Sequence, residues 1–147
     1  MRQGDSQLAL VDLQNLAYAA IQVVHNFGAV AVAGSAVYAL WPGPWQAGRR
    51  KPLAWVMLAG WAAQAVSGGA FGGVSWLYYG RFPDIHGIAV AALLIKIACA
   101  AAGFILAAAY LYSGIAWSER AQQATWRAFA TLAATALTAA AFLRWFS

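Results

Sequence analysis

The sequence predicts an all-α fold: a polytopic membrane protein built as an antiparallel bundle of four transmembrane helices, one domain over residues 1–147. Three observations carry this. Of the 147 residues, 63% are hydrophobic and only 9% charged, a balance that would leave a soluble domain with a mostly apolar surface. Four apolar runs, residues 17–40, 53–73, 84–112 and 124–146, are each long enough at ~1.5 Å per residue to cross a ~30 Å hydrocarbon core. Each run also carries a lane of small or polar residues on one helical face, as helices do where they meet one another and not lipid.

The elements follow in order. Residues 1–7 are short and polar and do not read as a cleaved signal peptide. Residues 8–16, with Asp12, Gln14 and Asn15, read as an interfacial lead into the first span. That span sets Asn15, Tyr18, Gln22, His25, Asn26, Ala29, Ala33 and Ala36 on one face. Trp41, Pro42, Gly43, Pro44 and Trp45 stop it, because Pro and Gly break helices and Trp prefers the interface. Gly48, Arg49, Arg50, Lys51 and Pro52 complete a short loop. The second span has a lane of Met57, Gly60, Gln64, Ser67, Gly68 and Phe71. Its overlapping GxxxG spacings, Gly68 with Gly72 and Gly69 with Gly73, read as close-packing sites. Residues 74–83 read as an aromatic interfacial loop around Arg81. After the third span, residues 113–123 read as a connector. The fourth span presents Arg127, Thr131, Thr135 and Thr138 as its polar face.

The formal charge of +5 does not point to nucleic acid, since the cations are scattered singly or stand at helix ends; they are topology signals for a chain whose partner is the lipid bilayer. Arg49, Arg50, Lys51, Arg120 and Arg127 lie on one side, and Arg2, Arg81 and Arg144 on the other. The excess predicts cytoplasmic connectors and both termini outside the cytoplasm. Cys99 is the single cysteine, so no disulfide or CxxC motif exists.

The third span also holds Lys96 near its centre. An ammonium at that depth costs at least ~2.5–3.5 kcal/mol and must face protein, water or a counter-charge. Ala89, Ala92, Cys99, Ala100, Gly103 and Ala107 share its helical lane, whereas Ile88, Leu94, Ile95, Ile97, Ile105 and Leu106 lie off it. Lys96 therefore points into the bundle. Depth counting places partners for it. Trp41 follows His25 by 16 residues and Tyr112 follows Lys96 by 16, so each polar residue lies ~24 Å from its aromatic. On the other two spans Gln64 lies ~18 Å from Pro52 and Thr135 ~22 Å from Arg120, which puts His25, Gln64, Lys96 and Thr135 in one polar layer. His86, ten residues before Lys96, belongs near the outer surface.

The run His25-Asn-Phe-Gly-Ala with Gly34, the Gly-ending second span, and Leu93-Leu-Ile-Lys96 resemble the copper-resistance D (CopD) family and its distant HemJ-like relatives. The resemblance covers residues 21–112. Tyr79-Gly80 stands further back from Lys96 than in the family's pattern, and no second buried His follows Lys96, so carry-over is limited to His25 and Lys96. The resemblance implies a small multi-pass protein of a bacterial-type inner (plasma) membrane. CopD proteins are associated with copper uptake; HemJ proteins bind haem b and oxidise protoporphyrinogen.

Three readings of the site stay open. His25 is an axial haem ligand, a copper ligand, or a buried histidine bonded to a carbonyl. Lys96 pairs with a haem propionate or another anion. Gln64 lies at the same depth, and His86 is a second ligand or an interfacial residue next to Asp84. Haem needs one or two imidazoles and room, which the small lanes supply; copper asks for several soft ligands, of which the chain has Met57 and Cys99. A third reading, from another class, is a non-catalytic structural or assembly subunit that self-associates or packs inside a larger membrane complex.

Overall fold

The computed structural model describes residues 3–42 and 46–146. Among them the chain is all helical: α1 (Gln3–Leu40), α2 (Gln46–Tyr79), α3 (Ile88–Ser113), a 3-10 turn (Gly114–Ala116) and α4 (Glu119–Phe146). Three helices are long and apolar enough to cross a membrane, over Leu10–Leu40, Ile88–Ser113 and Glu119–Phe146. α2 is 34 residues long but does not reach the same hydropathy, because glycines, Trp55, Trp61, Gln64 and Ser67 dilute its aliphatic run. Large aliphatic side chains such as Val30, Val66, Leu94 and Ile105 lie on the outside, an exterior suited to a lipid bilayer.

The helices run further than the sequence implies. Residues 8–16 continue α1 without a break, and Gly48 to Lys51 are helical, with Pro52 inside the second turn of α2. α1 ends at Leu40, just before Trp41 as expected; Gly43, Pro44 and Trp45, which the expected stop includes, lie outside the described residues. The aromatic loop expected from residue 74 begins only after Tyr79. Trp and Tyr mark the depth of an interface and do not say whether the backbone there is coiled. α2 stops where Gly80 takes φ +65° and its N–H returns to the Trp76 carbonyl, a left-handed cap that needs glycine. The connection between α3 and α4 is likewise short, with Ser118 Oγ accepting the Ala121 N–H to cap α4.

α1 packs against α2 and α4, and α3 against α2 and α4. Residues rising in number along α1 meet residues falling in number along α2: Gln14 with Tyr79, His25 with Ser67, Tyr38 with Arg49. The lane of α3 is buried as read, with Ala89, Ala92, Cys99, Gly103 and Ala107 inside. Ile88, Leu94, Ile95, Ile97 and Ile105 are exposed, and Leu106 packs partly against the core.

Two close approaches set the packing. Gly28 on α1 faces Gly60 on α2; a Cβ on Gly60 would stand 2.8 Å from Val32 Cγ2, and one on Gly28 3.2 Å from the Gly60 carbonyl oxygen. On α3, Gly103 makes room for the Trp61 indole. The expected GxxxG contacts are not made within the chain. A Cβ on Gly68, Gly69 or Gly73 would meet nothing within 4 Å, and one on Gly72 would meet only Phe82.

The core is displaced toward one end. Val32, Ala36 and Ala39 from α1 join Ala54, Met57 and Trp61 from α2, Cys99, Ala107 and Tyr110 from α3, and Trp126, Phe129 and Ala133 from α4. All belong to the end of the molecule that holds the α1–α2 and α3–α4 connections. Toward the other end a cleft opens between α1 and α4.

Candidate functional site

The cleft has a volume of about 480 Å³, within the ~300–1,000 Å³ usual for small-molecule and cofactor sites. α1 lines it from Gln22 to Val32 and α4 from Ala133 to Arg144, each over ~15 Å of helix. Trp61, Gln64 and Phe71 of α2 and Lys96 of α3 close it behind. The structure therefore brings His25, Gln64 and Lys96 together, as the depth count expects. His86 does not line the cleft. It sits in the segment before α3, exposed, with Nε2 3.2 Å from Asp84 Oδ1.

Thr135 departs from the expected layer. It is exposed on α4, with Arg127, Thr131 and Thr138 on the same outer side. The cleft face of α4 is instead the lane Ala133, Ala136, Leu137, Ala140, Leu143 and Arg144. Threonine can face lipid because its hydroxyl bonds back into its own helix: Thr131 donates to the Arg127 carbonyl at 3.0 Å and Thr138 to the Ala134 carbonyl at 2.9 Å. A polar lane of threonines is thus no sign of an inward face. Arg144 is the cleft residue that this misreading hides; it stands at helical spacing from Ala133, Leu137 and Ala140.

His25 is held from three directions. Its Nδ1 lies 2.8 Å from Ser67 Oγ, Phe71 meets its ring edge-on at 5.8 Å, and Gln64 Nε2 donates to its backbone carbonyl. Gly28 allows the last contact, since a Cβ there would stand 3.0 Å from Gln64 Nε2. The Ser67 hydroxyl has one proton, and it goes to the carbonyl of Ala63 one turn back. With its proton so placed, Oγ can accept from His25 Nδ1, the tautomer that leaves the lone pair on Nε2. This is the arrangement of a ligating histidine, in which the second ring nitrogen donates to an outer partner.

The electrostatics of the cleft are one-sided. Lys96 and Arg144 line it, and no Asp or Glu is among its described lining residues. The amides of Gln22, Asn26 and Gln64 add polarity, with Gln22 Nε2 donating to Asn26 Oδ1 at 2.7 Å. Val32, Trp61, Phe71, Leu137 and Leu143 supply apolar wall. Two cations without a facing carboxylate, beside apolar walls and one imidazole lone pair, suit an amphiphilic anion that carries a Lewis-acidic centre.

The described residues hold no group of three or more His, Cys, Asp or Glu placed to share a metal ion. Met57 and Cys99 lie in the packed core and not in the cleft. No protein-family model, curated protein or solved structure matches this chain.

Proposed function

We propose that this chain is a multi-pass membrane protein, an antiparallel four-helix bundle of the CopD/HemJ-like kind, that binds haem b in the cleft between α1 and α4. The observation that supports the reading is the Ser67–His25 pair in a cleft lined by Lys96 and Arg144, two cations with no acidic partner among the described residues. In this reading His25 would hold the haem iron, and Lys96 and Arg144 would receive the propionates. Phe71, Trp61 and Val32 shield the ring from water. Haem supplies a one-electron redox centre when bound. The chain's own part is to orient the imidazole, neutralise the carboxylates and keep the site dry. Copper is disfavoured by the donor set, which offers one imidazole and no Cys or Met among the described residues that line the cleft.

The test is the absorbance of protein purified from membranes of haem-replete cells. A Soret band that disappears in His25→Ala supports the reading. Bound copper without that band would restore the copper alternative, and neither would remove both.

A second reading, a non-catalytic structural or assembly subunit, is favoured by one observation. Gly68, Gly69 and Gly73 form an open small-residue stripe on α2, of the kind another membrane helix packs against. Cross-linking through Gly69→Cys would report such a neighbour, whether a second copy or another subunit.

The positive side of the bundle, with Arg49, Arg50, Lys51 and Arg120, is placed in the cytoplasm of a bacterial-type inner membrane, which sets both termini and the Arg144 mouth of the cleft on the outer side.

A further inference from the structure

At the opposite end from the cleft, where α1 ends and α2 and α4 begin, a second cavity of about 190 Å³ is lined by Ala39, Leu40, Pro42, Arg50, Gln123 and Trp126. Two of its lining side chains carry a buried N–H with no acceptor among the described residues: Arg50 Nε and Trp126 Nε1. The Arg50 side chain is only 9% exposed and Trp126 is fully buried. Arg50 is not idle elsewhere, since its Nη1 donates to Glu119 Oε2 at 2.8 Å and to Gln122 Oε1 at 3.2 Å. Tyr110 donates to the same Gln122 oxygen at 2.8 Å, while Gln122 Nε2 donates to the Trp117 carbonyl at 3.1 Å. This network fixes the guanidinium and leaves Nε over. Trp126 is fixed too, edge-on to Tyr110 at 5.6 Å and to Phe129 at 5.2 Å.

Two immobilised donors beside one small cavity ask for an oxygen acceptor, because a buried N–H left unmet is costly. The charge nearby selects an anion: Arg49, Arg50, Lys51 and Arg120 stand against the single acid Glu119, which is 76% exposed. The cavity lies at helix ends, the level at which a bilayer presents its phosphates.

We propose that this three-helix junction is a binding site for a phosphate-type oxyanion, received by Arg50 Nε and Trp126 Nε1. The site stands independently of what occupies the large cleft. Its two natural sources are a phospholipid headgroup and free phosphate.

The experiment follows the indole N–H resonance of Trp126 in ¹⁵N-labelled protein held in phosphate-free maltoside detergent. The signal is identified by its loss in Trp126→Phe, or by through-bond assignment where that variant does not fold. The probes are sodium phosphate and dihexanoyl phosphatidylglycerol, each matched against sodium chloride of equal ionic strength. The expected result is a saturable shift of that resonance. Arg50→Lys keeps the charge for Glu119 and loses the Nε donor, and should weaken binding by about ten-fold, the worth of one hydrogen bond to a charged group. Gln123→Ala, at an exposed position, reports the same cavity where Arg50→Lys does not fold. A shift with the lipid alone assigns the site to headgroups; a shift with both at similar concentrations assigns it to phosphate in general. No shift with either, or a drift that chloride reproduces, overturns the proposal.

Discussion

Gly103 and Trp61 are complementary in shape: a Cβ on Gly103 would come within 2.7 Å of Trp61 Cδ2 and closer still to Cε2 and Nε1. The indole belongs at once to the packed core and to the wall of the cleft, so this contact ties the stability of the bundle to the shape of its site. Gly103→Ala forces a rigid ring to move and should cost about 1–3 kcal/mol. Gly73→Ala, where the added methyl meets nothing, should be neutral or stabilising by up to about 1 kcal/mol. Thermal unfolding in detergent compares the two, and equal losses would refute the assigned packing.

Ser67 should act on the ligand through His25. Ser67→Ala leaves the imidazole in place but removes the acceptor for its Nδ1–H, and should loosen the bound ligand by about 10–100-fold without abolishing its spectrum. Haem transfer to a scavenging protein measures this. Ser35→Ala, at another buried serine away from the cleft, is the control and should leave the transfer rate unchanged.

The faces of α4 make a third contrast. If haem is the ligand, Arg144→Gln and Lys96→Gln should each speed its loss while the Soret position stays fixed, because each would remove a propionate partner and leave His25 in place. Thr135→Val should change neither. If Thr135→Val were the damaging substitution, the cleft would have been assigned to the wrong side of the helix.

Orientation is open to labelling. Lys51 is exposed at the start of α2, and the native Cys99 is buried. In a Cys99→Ala background, Lys51→Cys should resist an impermeant thiol reagent in intact cells and react after permeabilisation. Ready labelling from outside would invert the topology.

Much of this was legible before any coordinates, and for identifiable reasons. A lysine in a long apolar run has few places to go, so the small lane of α3 and its inward direction follow from helical period alone. Counting residues from interfacial aromatics brings His25, Gln64 and Lys96 near one another, and all three line one cleft, because helices convert residue number into depth. What period cannot show is which of two lanes a neighbour selects. On α4 Thr131 and Thr138 satisfy themselves within the helix and lie outward with Thr135, while alanines and Arg144 line the cleft. On α2 the paired GxxxG spacings lie open, and the close approach falls to Gly60, a lone glycine met by Gly28. Ser67 was visible only as one member of a lane; its role depends on a backbone carbonyl that no side-chain pattern reveals.

The unequal lengths of the helices have a consequence at the cleft end. α1 and α2 run ~57 and ~51 Å, α3 and α4 only ~39 and ~42 Å. At one end all four meet in the aromatic core, so the surplus appears at the other, where Gln14 Nε2 donates to the Tyr79 hydroxyl at 2.7 Å and clamps the two long helices together. That pair lies about two turns beyond the Gln22 and Phe71 walls of the cleft, so the long helices stay joined past the level at which the site ends.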